Sequence, residues 1–265
     1  MHNTNYHNVG TAAEAAALIA NTEDGALLAG GQTLLPTMKA RLAAPSDLVD
    51  ISKAEELRGI SIANGAVTIG AMTTHAEVAG HSDLQSAFPA LCSLAGRIGD
   101  PAVRHRGTIG GSLANNDPAA CYPAAALGTG ATISTNKRDI PADDYFQGLF
   151  STALEEGEVI TSVTLPIPQT ANYQKFAQPA SRFALVGVFV AKHADGVRVA
   201  VTGASEDGVH RWSEGETALN DTFSADALAD LAVSSDGLIT DLHGDGSYRA
   251  NLVKVLTGRA VESAG

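Results

Sequence analysis

Two short stretches of the chain set adjacent glycines beside small hydroxylated residues: Leu28-Ala29-Gly30-Gly31-Gln32-Thr33-Leu34 and Thr108-Ile109-Gly110-Gly111-Ser112. Glycine has no Cβ and adopts positive φ freely. A stretch of this kind therefore brings backbone close to a ligand and turns successive N–H groups toward it, which suits an anion such as a pyrophosphate. The hydroxyls of Thr33, Thr108 and Ser112 can add hydrogen bonds. A single Gly-Gly is also the ordinary mark of a tight turn, so each pair alone is ambiguous. Two of them suggest a large cofactor. Neither has the Gly-x-Gly-x-x-Gly spacing of a Rossmann nucleotide site, which argues against that fold.

Other chemistries find less support. Cys92 and Cys121 are the only cysteines, too few for an iron–sulfur cluster held by four thiolates. His75, His81, His105, His193, His210 and His243 lack a His-x-x-x-His spacing, so zinc is not expected, and solvated or capping roles suit these side chains better. Gly203-Ala204-Ser205-Glu206-Asp207 begins like a nucleophile elbow but has Asp207 where the second glycine belongs. Arg104, His105 and Arg106 form a short basic run that suits a cofactor phosphate, a subunit contact or a solvated loop.

The elements that would position the glycine stretches are partly legible. Thr11 before Ala12–Ala20, with Glu14 three residues on, predicts a helix opened by a capping box. A short apolar strand over 26–29 then delivers the chain into the first glycine stretch, and a helix follows to about Leu42; strand, turn and helix start together make an anion cradle. Strands are predicted at 48–51, 60–62 and 67–70, with Asn64-Gly65 as a hairpin turn. A helix over 83–97 is expected to break near Pro89. A long loop from Ile98 leads into the second glycine stretch, and loops of that length inside a compact domain are usually functional. Asp117 is placed to cap a helix over 118–127, followed by strands at 131–134 and 159–165. Pro166-Ile167-Pro168-Gln169-Thr170 reads as a linker; beyond it, strands at 184–191 and 197–202 flank an Asp195-Gly196 turn, and helices are predicted at 225–232 and 247–257.

With 265 residues, 45% of them hydrophobic, the chain can bury one sizeable core or two smaller ones. A net charge of −12 disfavours nucleic acid as a partner. No stretch is long and apolar enough to span a membrane, and the first residues lack a signal-peptide pattern, so a cytoplasmic location is expected.

The first glycine stretch continues into Leu35-Pro36-Thr37-Met38-Lys39-Ala40-Arg41-Leu42. The second lies within a run from Ile98-Gly99-Asp100-Pro101 to Asn115-Asn116-Asp117-Pro118. Together with Tyr173-Gln174-Lys175-Phe176 and Pro179-Ala180-Ser181-Arg182-Phe183, these segments resemble the FAD-binding medium subunit of the molybdenum hydroxylases, the group of aerobic carbon monoxide dehydrogenase and xanthine dehydrogenase. The resemblance spans nearly the whole chain. It implies an α+β fold: a two-part FAD-binding domain of the vanillyl-alcohol-oxidase (PCMH) type over residues 1–168, built of two α/β subdomains, then a smaller α+β C-terminal domain over 169–265. It implies FAD as cofactor, with a small iron–sulfur subunit and a large molybdopterin subunit as partners.

By the same resemblance, Leu28 through Leu34 and Thr108 through Ser112 meet the cofactor around its diphosphate and ribityl chain. Ile98 and Ile160 become apolar neighbours of the flavin, Lys175 lies near the isoalloxazine, and Phe183 is a stacking ring. A cation at the pyrimidine edge would raise the reduction potential. Where relatives often have Asp-Pro-Ala-Ala-Asp, this chain has Asp117-Pro118-Ala119-Ala120-Cys121, so a carboxylate that contacts FAD is missing, and Asn115 and Asp117 are left to compensate. No residue of this chain is expected to act as acid, base or nucleophile: the flavin passes electrons from partner clusters to an acceptor. Two readings compete with this one, a stand-alone flavin oxidase of the vanillyl-alcohol-oxidase type and a nucleotide-binding module without redox chemistry.

Overall fold

The protein is described by a computed structural model covering residues 1–264. Among the described residues, three larger sheets and one two-stranded hairpin organise it. The first is parallel, with Asp47–Asp50 between Asn5–Asn8 and Gly25–Leu28. The helix Ala12–Ile19 buries Ala12 and Ala15 against a small core that includes Val49, Ile51 and Leu57. Its N-cap is Thr11, whose hydroxyl accepts from the Glu14 N–H at 3.1 Å. The expected capping box closes differently, because the Glu14 carboxylate accepts from the Gly10 N–H, one residue before the cap.

The second sheet is antiparallel, in the order Ile60–Ala63, Ala66–Gly70, Ile160–Pro166, Thr132–Thr135, Asp139–Pro141. Asn64 and Gly65 both have positive φ, 52° and 74°, the backbone that a two-residue hairpin matched to strand twist requires. Helices cover the sheet. The expected helix over 83–97 is two, Ser82–Ala87 and Pro89–Gly96, with Phe88 in a non-helical conformation so that Pro89 can open the second. His81 caps the first of them: its Nδ1 accepts from the Leu84 N–H at 3.2 Å.

The third sheet, Thr170–Ala177, Ala184–His193, Gly196–Ser205 and Gly208–Arg211, is antiparallel in chain order. Its central strands are apolar on both faces because both are covered. Tyr173, Phe189, Ala191 and Ala200 join the core of the second sheet, whereas Val186, Val188, Val190, Val199 and Val201 pack under the helix Gly246–Glu262. The predicted helix over 225–232 is a single 3-10 turn, Ala225–Leu228. Instead a helix forms over Ser213–Asp221, where Gly215 and many polar residues hide the pattern.

Candidate cofactor site

The first glycine stretch leaves the strand Gly25–Leu28, turns at Gly31 (φ 70°) and enters the helix Leu34–Lys39. The backbone N–H groups of Ala29 through Leu34 donate to no acceptor among the described residues; bonding resumes with Leu35 N–H to the Gly31 carbonyl at 3.3 Å. Backbone donors left without a protein partner call for an external acceptor, either solvent or ligand. The anion cradle expected from the sequence falls on this run of consecutive donors.

The second stretch is a different object. It is no loop: Ile109–Asn115 is a helix with Thr108 as its N-cap, and both glycines lie in the first turn. Its N–H groups from 109 to 112 are already engaged, while that of Thr108 donates to no acceptor among the described residues. Ile109 donates to the Thr73 carbonyl, Gly110 to the Ala71 carbonyl at 2.9 Å, Gly111 to the Thr108 hydroxyl at 3.1 Å and Ser112 to the Thr108 carbonyl. The backbone donors without a protein acceptor are therefore those of Ala29–Leu34 in the first stretch and Thr108 alone in the second. The second contributes the Ser112 hydroxyl, which makes no hydrogen bond within the described residues and lines the same cleft.

Packing explains the glycines. A Cβ on Gly30 would overlap the Arg106 carbonyl, so its absence lets the first stretch seat against the backbone that leads into the second. A Cβ on Gly110 would lie 2.6 Å from the Ala71 Cβ, so its absence allows close contact between helix and sheet.

Between these segments lies a cleft of about 690 Å³, within the range of small-molecule and cofactor sites. Ala29, Gly30, Gly31, Gln32, Thr33 and Leu34 line one part of it; Thr108, Gly110, Gly111 and Ser112 line the facing part. Asn115, Asp117, Cys121, Ile98, Ile160, Lys175 and Phe183 also reach it. Two expected residues do not. Ile109, 1% exposed, packs into the core, and Leu28 stays behind Gly31 at the strand end. Asp117 does not cap a helix over 118–127: its carboxylate accepts from the Ala119 N–H in a local turn, and the helix runs over Tyr122–Thr129. Phe183 stands exposed beside the cleft, and Lys175 is buried.

Several residues of the site carry no recognisable sequence signal. His75 lines the cleft beneath Gly107 and is buried, contrary to the expected solvated or capping role. Burial, helped by the nearby Arg104 charge, depresses its pKa to about 4, so the ring is neutral near pH 7. Asn116, between the cleft residues Asn115 and Asp117, is buried in a left-handed conformation (φ 42°). Its amide donates to the Gly148 and Ser151 carbonyls at 2.8 and 2.7 Å, tying the cleft floor to the Phe146–Thr152 hairpin. Glu158, another lining residue, is held to a pKa of about 2: burial alone would raise it, but hydrogen bonds from Arg138, the Glu155 N–H and Thr135 outweigh burial.

A cleft of this size, with a run of free backbone donors, an unbonded hydroxyl and a buried ammonium among apolar walls, fits a dinucleotide that joins a diphosphate to an aromatic ring. The sequence model of the FAD binding domain in molybdopterin dehydrogenase matches residues 2–168. The chain belongs to that family. It is 33% identical to the carbon monoxide dehydrogenase medium chain of Hydrogenophaga pseudoflava, over 98% of this chain and 96% of the relative. It is also 33% identical to the nicotine 6-hydroxylase medium subunit of Paenarthrobacter nicotinovorans, over 95% and 94%. Among solved structures, a Cu,Mo-CO dehydrogenase in its cyanide-inactivated form superposes with a TM-score of 0.89 at 31% identity, covering 100% of this chain and 98% of that one. Quinoline 2-oxidoreductase from Pseudomonas putida 86 gives a TM-score of 0.88 at 30% identity, covering 99% and 96%. The family's α+β fold and its cofactor, FAD, are therefore those of this chain, an FAD-binding medium subunit of the molybdenum hydroxylases and so part of a multi-subunit oxidoreductase. No helix among the described residues is long and apolar enough to cross a membrane.

Proposed function

We propose that this chain is the electron-transfer flavoprotein of its complex, receiving electrons from iron–sulfur clusters on a small partner and passing them to an external acceptor. Substrate oxidation belongs in this reading to a large molybdopterin subunit. The observation that carries the reading is the division of chemistry on this chain. It has a built cofactor cleft, yet only two cysteines, both buried, and no group of His, Cys, Asp or Glu placed to hold a metal among the described residues.

The bound FAD would supply exchange of one or two electrons; the protein's part is to hold it and set its potential. In the proposed arrangement the free N–H groups of Ala29–Leu34 receive the diphosphate, with the Ser112 hydroxyl opposite. Ile98 and Ile160 exclude water from the ring, Lys175 places a positive charge at the ring end, and Phe183 covers an exposed face. Division of the chain into an FAD-binding unit over 1–168 and a C-terminal unit over 169–265 is part of the proposal, as is a cytoplasmic location. The strands of the third sheet all lie beyond residue 169, which supports the division.

The test is to isolate the tagged chain alone and together with its native partners. The chain alone should show a flavin spectrum that dithionite bleaches, and it should contain no iron. The captured assembly should add iron and molybdenum, and reduction of the partner clusters should be followed by reduction of the flavin. Direct bleaching of the isolated chain by an organic substrate would overturn the relay and favour the oxidase reading.

A further inference from the structure

Lys175 is an ammonium taken out of water without a carboxylate to meet it. The residue is 8% exposed. Its Nζ donates to the Arg97 carbonyl at 3.0 Å and to the Cys121 Sγ at 3.5 Å. No acidic oxygen among the described residues forms an ion pair with it. The Arg97 guanidinium, itself without an ion pair, donates to the Tyr173 and Lys175 carbonyls, so a second cation stands on the same side. Both Lys175 and Cys121 line the cleft. A buried charge left uncompensated by its own protein is costly unless a ligand supplies the opposite charge or strong acceptors.

Cys121 is the side chain that decides this balance. It is 4% exposed and, among the described residues, the only side-chain acceptor bonded by Nζ. A thiol is a weak acceptor and, while protonated, adds no charge. A carboxylate at the same place would form a close ion pair with Lys175 and cancel most of the field the ammonium exerts on the cleft. The neighbouring Tyr173 hydroxyl is also buried and makes no hydrogen bond to Nζ.

We propose that Cys121 is a potential-setting position: by contacting Lys175 without neutralising it, the thiol leaves the ammonium charge available to the flavin end of the cleft. This inference rests on the FAD reading above. It changes what position 121 is for. An acid there would act first on Lys175, so Cys121→Asp would restore neutrality at the cost of the positive field. A positive charge near the ring favours the electron-rich, reduced cofactor, and cancelling it lowers the potential.

The experiment compares the flavin midpoint potential, measured by dye-equilibrated redox titration, in wild type, Cys121→Asp, Cys121→Ser and Lys175→Met. The Asp and Met variants should both fall below wild type. The Ser variant, polar but uncharged, should stay close to it. An unchanged potential in Cys121→Asp, with flavin bound, would overturn the proposal. A further readout needs no flavin. In the apoprotein, denaturant unfolding of the single and double variants should show Cys121→Asp costing less stability with Lys175 present than in the Lys175→Met background, because the ammonium pairs the new carboxylate. Additive losses in the two variants would overturn the Lys175–Cys121 coupling itself. A protein that shows the coupling but retains no FAD would contradict the cofactor assignment instead.

Discussion

Arg97 and Lys175 hold each other by their backbones: Arg97 Nη2 donates to the Lys175 carbonyl at 3.2 Å while Lys175 Nζ donates to the Arg97 carbonyl at 3.0 Å. The exchange joins the end of the helix Pro89–Gly96 to the first strand of the third sheet, next to the cleft. Arg97 also lies 5.7 Å from the Tyr173 ring centroid. Replacing Arg97 with Met should remove two hydrogen bonds and a cation from an exposed position. We expect a loss of about 1–2 kcal/mol in denaturant unfolding and roughly tenfold weaker FAD binding. FAD affinity equal to wild type would show that the pair does not position Lys175.

The glycines at positions 30 and 110 should fail in different ways. Gly30→Ala forces the cradle away from the Arg106 carbonyl, so flavin per protein should drop sharply with a modest loss of melting temperature. Gly110→Ala presses on Ala71 in the main core, so the first effect should be destabilisation of about 1–3 kcal/mol. Thermal melts paired with released-flavin assays separate the two. Identical behaviour of both variants would remove the asymmetry between the segments.

Asn116 combines a left-handed backbone with two buried amide donations. Asn116→Ala should cost about 2–4 kcal/mol, from the unpaired carbonyls of Gly148 and Ser151 and from the strained φ. Asn116→Gly keeps the backbone comfortable and loses only the side chain, so it should be about 1 kcal/mol milder. Equal destabilisation in the two variants would assign the whole effect to the hydrogen bonds.

Acid should weaken the fold through His75. Its pKa is about 4 in the folded protein against 6.5 for the free side chain. As pH falls below 6.5 the unfolded chain binds a proton that the native ring refuses, and stability is lost until about pH 4, by about 3 kcal/mol in the limit. Above pH 6.5 the ring is neutral in both states and this contribution is flat. Glu158 extends the decline: its stabilisation is present above about pH 4.5 and lost as pH falls toward 2. His75→Phe should flatten the slope between pH 6.5 and 4 in urea titrations, and a slope unchanged by the substitution would exclude His75 as its source.

The glycine stretch over 28–34 is legible because strand, turn and helix signals follow one another there in the order an anion cradle needs. The stretch over 108–112 has the same character as a string of residues, since Gly110 and Gly111 give no sign of whether a turn or a helix start follows Thr108. What decides it is the docking of Gly110 on Ala71, a contact between residues far apart in sequence. Asn116, His75 and the Lys175–Cys121 contact are hidden for the same reason: each acquires its role from partners that only the tertiary fold supplies. The helix Ser213–Asp221 is masked because its apolar face is short and Gly215 interrupts it, yet Gly215 is needed where Trp212 packs against the backbone. The strands of the second and third sheets are easier to read, with Asn64-Gly65 and Asp195-Gly196 marking their hairpins.

Everything proposed for the site depends on the backbone of Ala29–Leu34, and not that of Ile109–Ser112, receiving the cofactor. Amide hydrogen exchange, followed by mass spectrometry on the protein with and without FAD, tests this assignment. The free donors of residues 29–34 should exchange quickly in the stripped protein and become protected when FAD binds, while amides 109–112, already hydrogen-bonded, should change little. Bound FAD that leaves 29–34 unprotected, or that protects 109–112 alone, would contradict it.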